Sequence, residues 1–187
     1  MVSGLRALEL APGASAASEG AERSIMPLEQ AVWAALEDVY DPEIPAISVV
    51  DLGVVRRVEV APGSVRVELL PTFVGCPAVD LMRRAVEDRL AGFAPDVEAV
   101  ISFAAPWTSE RITPEGHKRL RESGFGPPAP AADEERLLPI LPVLPVAPCP
   151  YCGSLDTRIE NAFGPTLCRA IYHCAACRQP FEQFKTV

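Results

Sequence analysis

The sequence has few basic residues relative to acidic ones: 17 Lys and Arg stand against 25 Asp and Glu, which gives a net charge of −8. A protein that binds nucleic-acid phosphates needs a basic face, so this balance argues against a nucleic acid as partner. No apolar run approaches the roughly 20 residues of a membrane-spanning helix, which argues against a membrane protein. However, 49% of the residues are hydrophobic, and this excludes a largely disordered chain.

The N-terminal residues also lack a secretory signal. Arg6 and Glu9 are the only charged residues among the first ten, and small residues follow instead of an apolar stretch of about 7–15 residues. We therefore expect a cytoplasmic protein, in which cysteine clusters indicate metal binding or reactivity more often than disulfides. Residues 1–25 have no periodic pattern and predict a flexible extension, and the sequence leaves open whether translation starts at Met26.

Residues 26–125 show the hydrophobic patterns of a compact α+β domain. Apolar residues at three- and four-residue spacing predict a first helix that starts at Pro27. The next segments predict a hairpin of two strands (47–60 and 65–69) and a second helix (77–90). A third strand (97–103) and a short third helix (113–124) follow. Thr113 is expected to cap the last helix and Gly124 to end it. The order α-β-β-α-β-α predicts one small sheet packed against helices.

The C-terminal third of the chain has a different composition. Seven prolines between Pro127 and Pro148 predict an extended, semi-rigid linker over residues 126–148. Segment 149–187 then contains two Cys-x-x-Cys pairs with 21 residues between them, and each pair suits one tight turn of a tetrahedral thiolate site. The predicted metal ligands are Cys149, Cys152, Cys174 and Cys177.

A segment of about 40 residues buries too little apolar surface to fold alone, so we expect a bound metal ion to hold this ribbon of short strands together. Zinc is the default ion for four thiolates; the alternative is a redox iron, because Cys149-Pro150-Tyr151-Cys152-Gly153 resembles a rubredoxin knuckle. Two disulfides are the alternative to any metal. Cys168 is interpreted as a buried strand residue, with a further cluster ligand as the alternative.

Cys76 is the only cysteine in the first two-thirds of the chain and directly precedes the second predicted helix. The free amides and positive end of a helix favour a thiolate, so this position predicts a lowered pKa; the alternative is a small apolar residue that fills a corner. Asp41 and Glu43 flank a proline and are interpreted as turn residues. The alternative is that their loop meets the loop of Cys76 and that their carboxylates bind a metal there. Asp51 is a third acid expected close by.

These segments resemble a known family. Asp41-Pro42-Glu43, residues 47–55 and Pro71-Thr72-Phe73-Val74-Gly75-Cys76-Pro77 are similar to the small domain of iron–sulfur cluster assembly proteins of the SufT type. Joined to the four-cysteine ribbon and to Phe163-Gly164-Pro165-Thr166-Leu167-Cys168-Arg169-Ala170, they resemble the PaaD family, small subunits encoded with the aerobic phenylacetyl-CoA epoxidase. The resemblance covers roughly residues 27–187.

The resemblance implies an accessory role in aerobic phenylacetate degradation, with iron or an iron–sulfur cluster inserted into a partner, either the reductase or the di-iron oxygenase subunit. The resemblance makes Cys76 the candidate transient metal or cluster ligand, with Asp41, Glu43 and Thr72 as candidate neighbours. It also implies that the structural ion of the ribbon is zinc. Catalysis by this chain is not expected, because neither Glu-x-x-His pairs on long helices nor a dinucleotide glycine fingerprint is present. The alternatives are a structural docking subunit of the oxygenase and an electron carrier with iron in the ribbon.

Overall fold

The computed structural model describes residues 27–73, 75–128 and 146–185. The predicted N-terminal extension and most of the predicted linker lie outside the described residues. Below, the N-terminal region means residues 27–128 and the ribbon means residues 146–185. Within the N-terminal region, residues 27–36 form helix α1, whose inner side buries Val32 and Leu36 completely.

A three-stranded sheet forms the centre of the N-terminal region. Strands β1 (Val55–Ala61) and β2 (Ser64–Leu69) pair as an antiparallel hairpin, and β3 (Asp96–Ile101) runs parallel to β2, so the strand order is β1-β2-β3. A parallel pair needs a crossover connection. Helix α2 (Ala78–Leu90) supplies it and buries apolar residues at helical spacing: Val79, Met82, Val86 and Leu90. The predicted α+β class is confirmed.

The predicted first strand over residues 47–60 is wrong in its first half. Residues 49–53 form consecutive turns, and a single bridge between Tyr40 and Ser48 is the only strand-like pairing of residues 47–54. The Ser48 hydroxyl accepts a hydrogen bond from the Asp51 amide at 3.0 Å, and Gly53 has a φ of 69°, which bends the chain. The apolar residues of this segment are buried nonetheless, so its hydrophobicity marks a packed loop rather than a strand.

Helix α3 (Pro114–Glu122) begins and ends as predicted. The Thr113 hydroxyl accepts a hydrogen bond from the Gly116 amide, and Gly124, with a φ of 82°, follows its last turn. A short 3-10 turn, Ser109–Arg111, precedes this helix. No helix within the described ranges is both long and apolar enough to cross a bilayer.

The ribbon forms a second sheet that includes part of the N-terminal region. The two-residue strand β4 (Phe125–Gly126) lies at the end of the N-terminal region, and strands β5 (Thr157–Asn161), β6 (Arg169–Cys174) and β7 (Pro180–Phe184) belong to the ribbon. The three ribbon strands are antiparallel neighbours, and β4 pairs with β7 in parallel, which gives the order β4-β7-β6-β5. The sequence interpretation missed β4, whose hydrogen bonds tie the end of the N-terminal region to the ribbon.

The hydrophobic core continues across the same boundary. Most core residues belong to the N-terminal region, but Cys168 and Phe184 of the ribbon are part of the same cluster. The Phe184 ring lies 5.7 Å from the ring of Trp107, and the Trp107 indole nitrogen donates to the Leu52 carbonyl at 3.0 Å. Trp107 therefore fixes the ribbon against the N-terminal region.

Candidate functional site

The four ribbon cysteines form a compact group of sulfur atoms. All four Sγ atoms lie within 4.8 Å of one another, and the Cys149–Cys177 and Cys152–Cys174 sulfur pairs are each 3.6 Å apart. Four thiolates bound tetrahedrally at about 2.3 Å from a zinc ion have sulfur atoms about 3.8 Å apart. The donor set and its spacing therefore fit a tetrahedral metal ion.

The two Cys-x-x-Cys turns have the same backbone geometry. The Gly153 amide donates to the Cys149 carbonyl, and the Arg178 amide donates to the Cys174 carbonyl, each at 2.9 Å. Gly153 has a φ of 73°, a backbone conformation that glycine adopts without steric cost. Arg178 has a φ of 59° at the equivalent position of the second turn and is the only non-glycine residue with positive φ in the described part of the chain.

The backbone also affects the ionisation of these thiols. The Cys177 amide donates to the Cys174 sulfur, and this bond lowers the pKa of Cys174 to about 7. Burial raises the pKa of Cys177 to about 12, with the neighbouring sulfurs adding to the effect. Four thiolates at this spacing repel one another, so full deprotonation requires a cation at the centre of the group.

Cys76 is half-buried and lies in a second candidate site, at the boundary between the N-terminal region and the ribbon. A cavity of about 240 Å³ opens at its side chain. The N-terminal region contributes Glu43, Phe73, Cys76 and Pro77 to its walls. The ribbon contributes the continuous segment from Gly164 to Cys168. The cavity thus exists only because the ribbon is docked.

The predicted lowered pKa of Cys76 is wrong in direction. Burial of the thiol raises its pKa, and the negative charges of Glu43 and Asp41 raise it further. Hydrogen bonds from the Ala78 and Val79 amides, at the start of α2, lower the pKa as predicted but are outweighed. The error arises because the sequence shows the helix that follows Cys76 but not the burial of the thiol, which is the largest cause of the raised pKa.

The predicted neighbours of Cys76 have different roles. Glu43 lines the cavity, whereas the buried Asp41 carboxylate accepts hydrogen bonds from the Glu43 and Ile44 amides at 2.7 and 3.0 Å and so fixes the turn. Burial raises the pKa of Asp41. Thr72 is buried but is not among the residues that line the cavity.

Asp51 also lies apart from the cavity walls. Its carboxylate accepts a hydrogen bond from the Thr113 hydroxyl at 2.7 Å and lies 3.4 Å from the guanidinium of Arg119. Both partners belong to α3 or its cap, so Asp51 holds this helix in place. Its predicted position near Cys76 is therefore not supported.

Sequence reasoning missed that Cys168 shares a cavity with Cys76. Cys168 is only 7% exposed, as predicted, but it lies in the turn that directly precedes β6 and not in a strand. Its sulfur lies 3.1 Å from the Thr166 hydroxyl, and both residues line the cavity. The only sequence signal was that Cys168 is left over once the four ribbon ligands have been chosen, and its interpretation as a cluster ligand was only the alternative.

The fold and the four-cysteine group define a class of protein: a small α+β domain with a cysteine-rich ribbon docked on it. Residues 29–101 match the family model described as "Iron-sulfur cluster assembly protein", and residues 143–185 match the "PaaD zinc beta ribbon domain". The chain is 37% identical, over 83% of its length, to an Escherichia coli K12 protein named as one of the subunits of a "Putative 1,2-phenylacetyl-CoA epoxidase", and the match covers 92% of that protein. The chain belongs to the PaaD family.

Two further proteins are similar to about half of this chain. A Porphyromonas gingivalis protein named "Fe-S protein maturation auxiliary factor" is 32% identical over 52% of this chain and 91% of that protein. A crystal structure of the "Domain of Unknown Function DUF59 from Bacillus anthracis" superposes with a TM-score of 0.50 at 25% identity, over 53% of this chain and 96% of that one.

Proposed function

We propose that this chain is an accessory maturation subunit of a multicomponent phenylacetyl-CoA epoxidase and assists the insertion of iron or an iron–sulfur cluster into a partner subunit. The name of the E. coli relative supports a place in the epoxidase system, and the name of the P. gingivalis relative supports a role in the maturation of iron–sulfur proteins. The observation that carries it is the position of Cys76, a half-buried thiol on the wall of a cavity with the Glu43 carboxylate beside it. This arrangement suits a ligand that holds a metal briefly.

In the proposed step, iron or a cluster is cargo and moves by ligand exchange. The thiolate of Cys76 releases the metal to a cysteine of the recipient, the recipient's thiol loses a proton, and Cys76 regains one, so no electron is transferred. Burial and the nearby carboxylates raise the pKa of Cys76, so the empty site is most stable with a protonated thiol. Because metal and proton compete for the sulfur, this preference favours release.

The recipient is proposed to be the epoxidase's iron–sulfur reductase or its di-iron oxygenase subunit. This chain has a net charge of −8, which favours a partner with a complementary basic surface. A complex of this kind brings the boundary between the N-terminal region and the ribbon, where the cavity lies, against the recipient's ligands.

The ribbon is proposed to hold a structural zinc ion through Cys149, Cys152, Cys174 and Cys177. The sulfur spacing and the zinc ribbon family support this choice. A zinc ion bound by four thiolates has no open ligand position and contributes folding free energy rather than chemistry. Metal analysis should find one zinc per chain in colourless protein; a coloured, iron-containing ribbon would instead favour the electron carrier.

The accessory role is tested by co-expressing the partner reductase with the wild-type chain, with Cys76→Ser, or with no chain. We expect the purified reductase to contain full iron and sulfide only with the wild-type chain. Leu81→Ser is the matched control, because Leu81 is exposed on α2 a few residues beyond Cys76. This control should behave as wild type.

Two outcomes would contradict the proposal in different ways. A reductase that receives its full iron and sulfide with Cys76→Ser removes the role of Cys76. A reductase and an oxygenase that both mature without this chain remove the accessory role. Stable co-purification with the oxygenase at a fixed ratio would then favour the structural docking subunit.

A further inference from the structure

The cavity beside Cys76 contains a second thiol that comes from the other part of the molecule. Cys76 reaches it from the loop before α2, and Cys168 reaches it from the ribbon, directly before β6. Neither belongs to the four-cysteine group, and all six cysteines are free thiols. Two thiols and the Glu43 carboxylate thus share one cavity of about 240 Å³.

We propose that Cys76 and Cys168 together bind one thiophilic divalent cation, such as Fe²⁺, in this cavity. The proposal deepens the proposed function, because it names the ligands that hold the cargo, but it concerns metal binding by this chain alone. Thiolates are the ligands that soft and borderline cations prefer, and the negative charge of Glu43 on the same wall favours a cation over an anion.

The hydrogen bonds around Cys168 are those expected of a metal ligand with an oriented sulfur. The Arg169 Nε donates to the Thr166 hydroxyl oxygen at 2.8 Å, and that oxygen lies 3.1 Å from the Cys168 sulfur. Because Arg169 donates to the oxygen, the hydroxyl hydrogen is available for the sulfur. Such a bond stabilises a thiolate and fixes its direction, as outer hydrogen bonds do for metal ligands.

Arg169 itself is held rigidly. It is 7% exposed, pairs with the Glu182 carboxylate at 2.7 Å and lies over the Phe125 ring at 5.7 Å from its centre. Arg169 and Glu182 belong to the ribbon, whereas Phe125 belongs to β4, so this cluster ties the ribbon segment next to Cys168 to the end of the N-terminal region. The segment that brings Cys168 to the cavity is therefore fixed by these contacts of Arg169.

The ligands of this cavity are less tightly gathered than those of the ribbon. In the described part of the chain, the four ribbon cysteines are the only group of three or more metal-ligating residues within 4.8 Å of one another. A site with two thiolates leaves ligand positions open, whereas four thiolates close the ribbon site. Open positions are what a recipient's ligands need in order to take the ion.

The test uses the full-length chain, reduced and anaerobic, with one zinc per chain in the ribbon and Co²⁺ as the probe. Cobalt bound to thiolates gives a charge-transfer absorption that zinc does not. We expect the wild-type chain to bind one Co²⁺ with this absorption while its zinc content stays at one. Cys76→Ser and Cys168→Ser should each weaken cobalt binding by roughly tenfold or more. Mutation of a residue that hydrogen-bonds to a metal ligand already lowers metal affinity by this amount, and the loss of the ligand itself should lower it at least as much.

Leu167→Ala is the matched control, because Leu167 lines the same cavity and offers no metal ligand. It should bind cobalt as the wild type does. No thiolate absorption in the zinc-loaded wild type, or wild-type affinity in Cys168→Ser, would overturn the proposal. Loss of binding in Cys76→Ser alone would also overturn it, since Cys168 would then have no part.

A second measurement needs no variant, because Cys168 is buried in the core and its replacement can disturb folding. X-ray absorption at the cobalt edge of the wild-type complex should show two sulfur neighbours. One sulfur or none would refute the two-thiol site. A two-sulfur cobalt site together with normal reductase maturation in Cys76→Ser would leave this inference standing while the proposed function fails.

Discussion

The N-terminal region and the ribbon are stabilised in different ways. The N-terminal region has a large apolar core, in which Leu36, Ile47, Leu70 and Met82 are almost fully buried. The ribbon's own cluster has six buried members, and two of them are metal-ligand candidates, Cys149 and Cys174. The comparison indicates that hydrophobic burial folds the N-terminal region, whereas the ribbon has a small core of its own and relies on docking to its neighbour and on the metal ion that we propose for it.

Removal of the ribbon metal should produce the largest difference between the two regions. Structural zinc contributes about 10–16 kcal/mol in small zinc-finger peptides, far more than the ribbon's small core can replace. After chelation we expect amide hydrogen exchange to become fast across residues 146–185 and to stay slow in the sheet of the N-terminal region. Added zinc should restore protection, and an equal loss of protection in both regions would contradict the comparison.

The substitution Phe184→Ala should weaken the contact between the regions. Phe184 is 1% exposed and packs on Trp107, so its truncation should cost about 3–5 kcal/mol and shift the tryptophan fluorescence. Chemical denaturation followed by tryptophan fluorescence measures the change.

Phe181→Ala is the matched variant, because Phe181 is also buried but stacks on Tyr172 inside the ribbon. It should lower the ribbon's metal affinity and leave the Trp107 environment nearly unchanged. If both variants alter the fluorescence alike, then Phe184 does not act at the boundary in the way described.

Gly126→Ala should have a smaller effect on the same boundary. A methyl group there meets the side chain of the buried Gln183, whose amide donates to the Pro127 carbonyl at 2.6 Å. We expect a loss of about 1–3 kcal/mol in the free energy of unfolding. Gly92→Ala, where nothing lies within 4 Å of the added carbon, is the control and should be nearly neutral in the same denaturation experiment.

The pH dependence of Cys76 alkylation should give the smallest effect, on a rate rather than on stability. Burial and the charges of Glu43 and Asp41 raise the pKa of Cys76, so less thiolate is present at any given pH than in a free thiol. In protein that keeps its ribbon zinc but has no metal at Cys76, iodoacetamide should therefore react slowly with Cys76 at about pH 8, and the rate should still rise above about pH 9. Glu43→Gln should move the profile to lower pH, and an unchanged profile would show that this carboxylate does not affect Cys76.

Local patterns allowed much of the fold to be predicted. The Thr113 cap, the apolar face of α2 and the four ribbon cysteines each depend on spacing within a few residues of the chain. Segment 47–54 was misassigned because buried turns and strands share the same apolar composition. Strand β4 was missed because two residues carry no pattern of their own, and its partner, β7, lies far along the chain.

The sequence by itself determined which residues could hold the ribbon metal, since two Cys-x-x-Cys turns with a suitable spacing are enough to bring four sulfurs together. Only the tertiary structure decided what surrounds Cys76. Glu43 and Cys168 come from segments distant in sequence, and the docked ribbon buries the thiol and closes the cavity. Burial and through-space charge depend on such distant contacts, so the direction of the Cys76 pKa shift and the identity of its neighbouring thiol could not be obtained from local patterns.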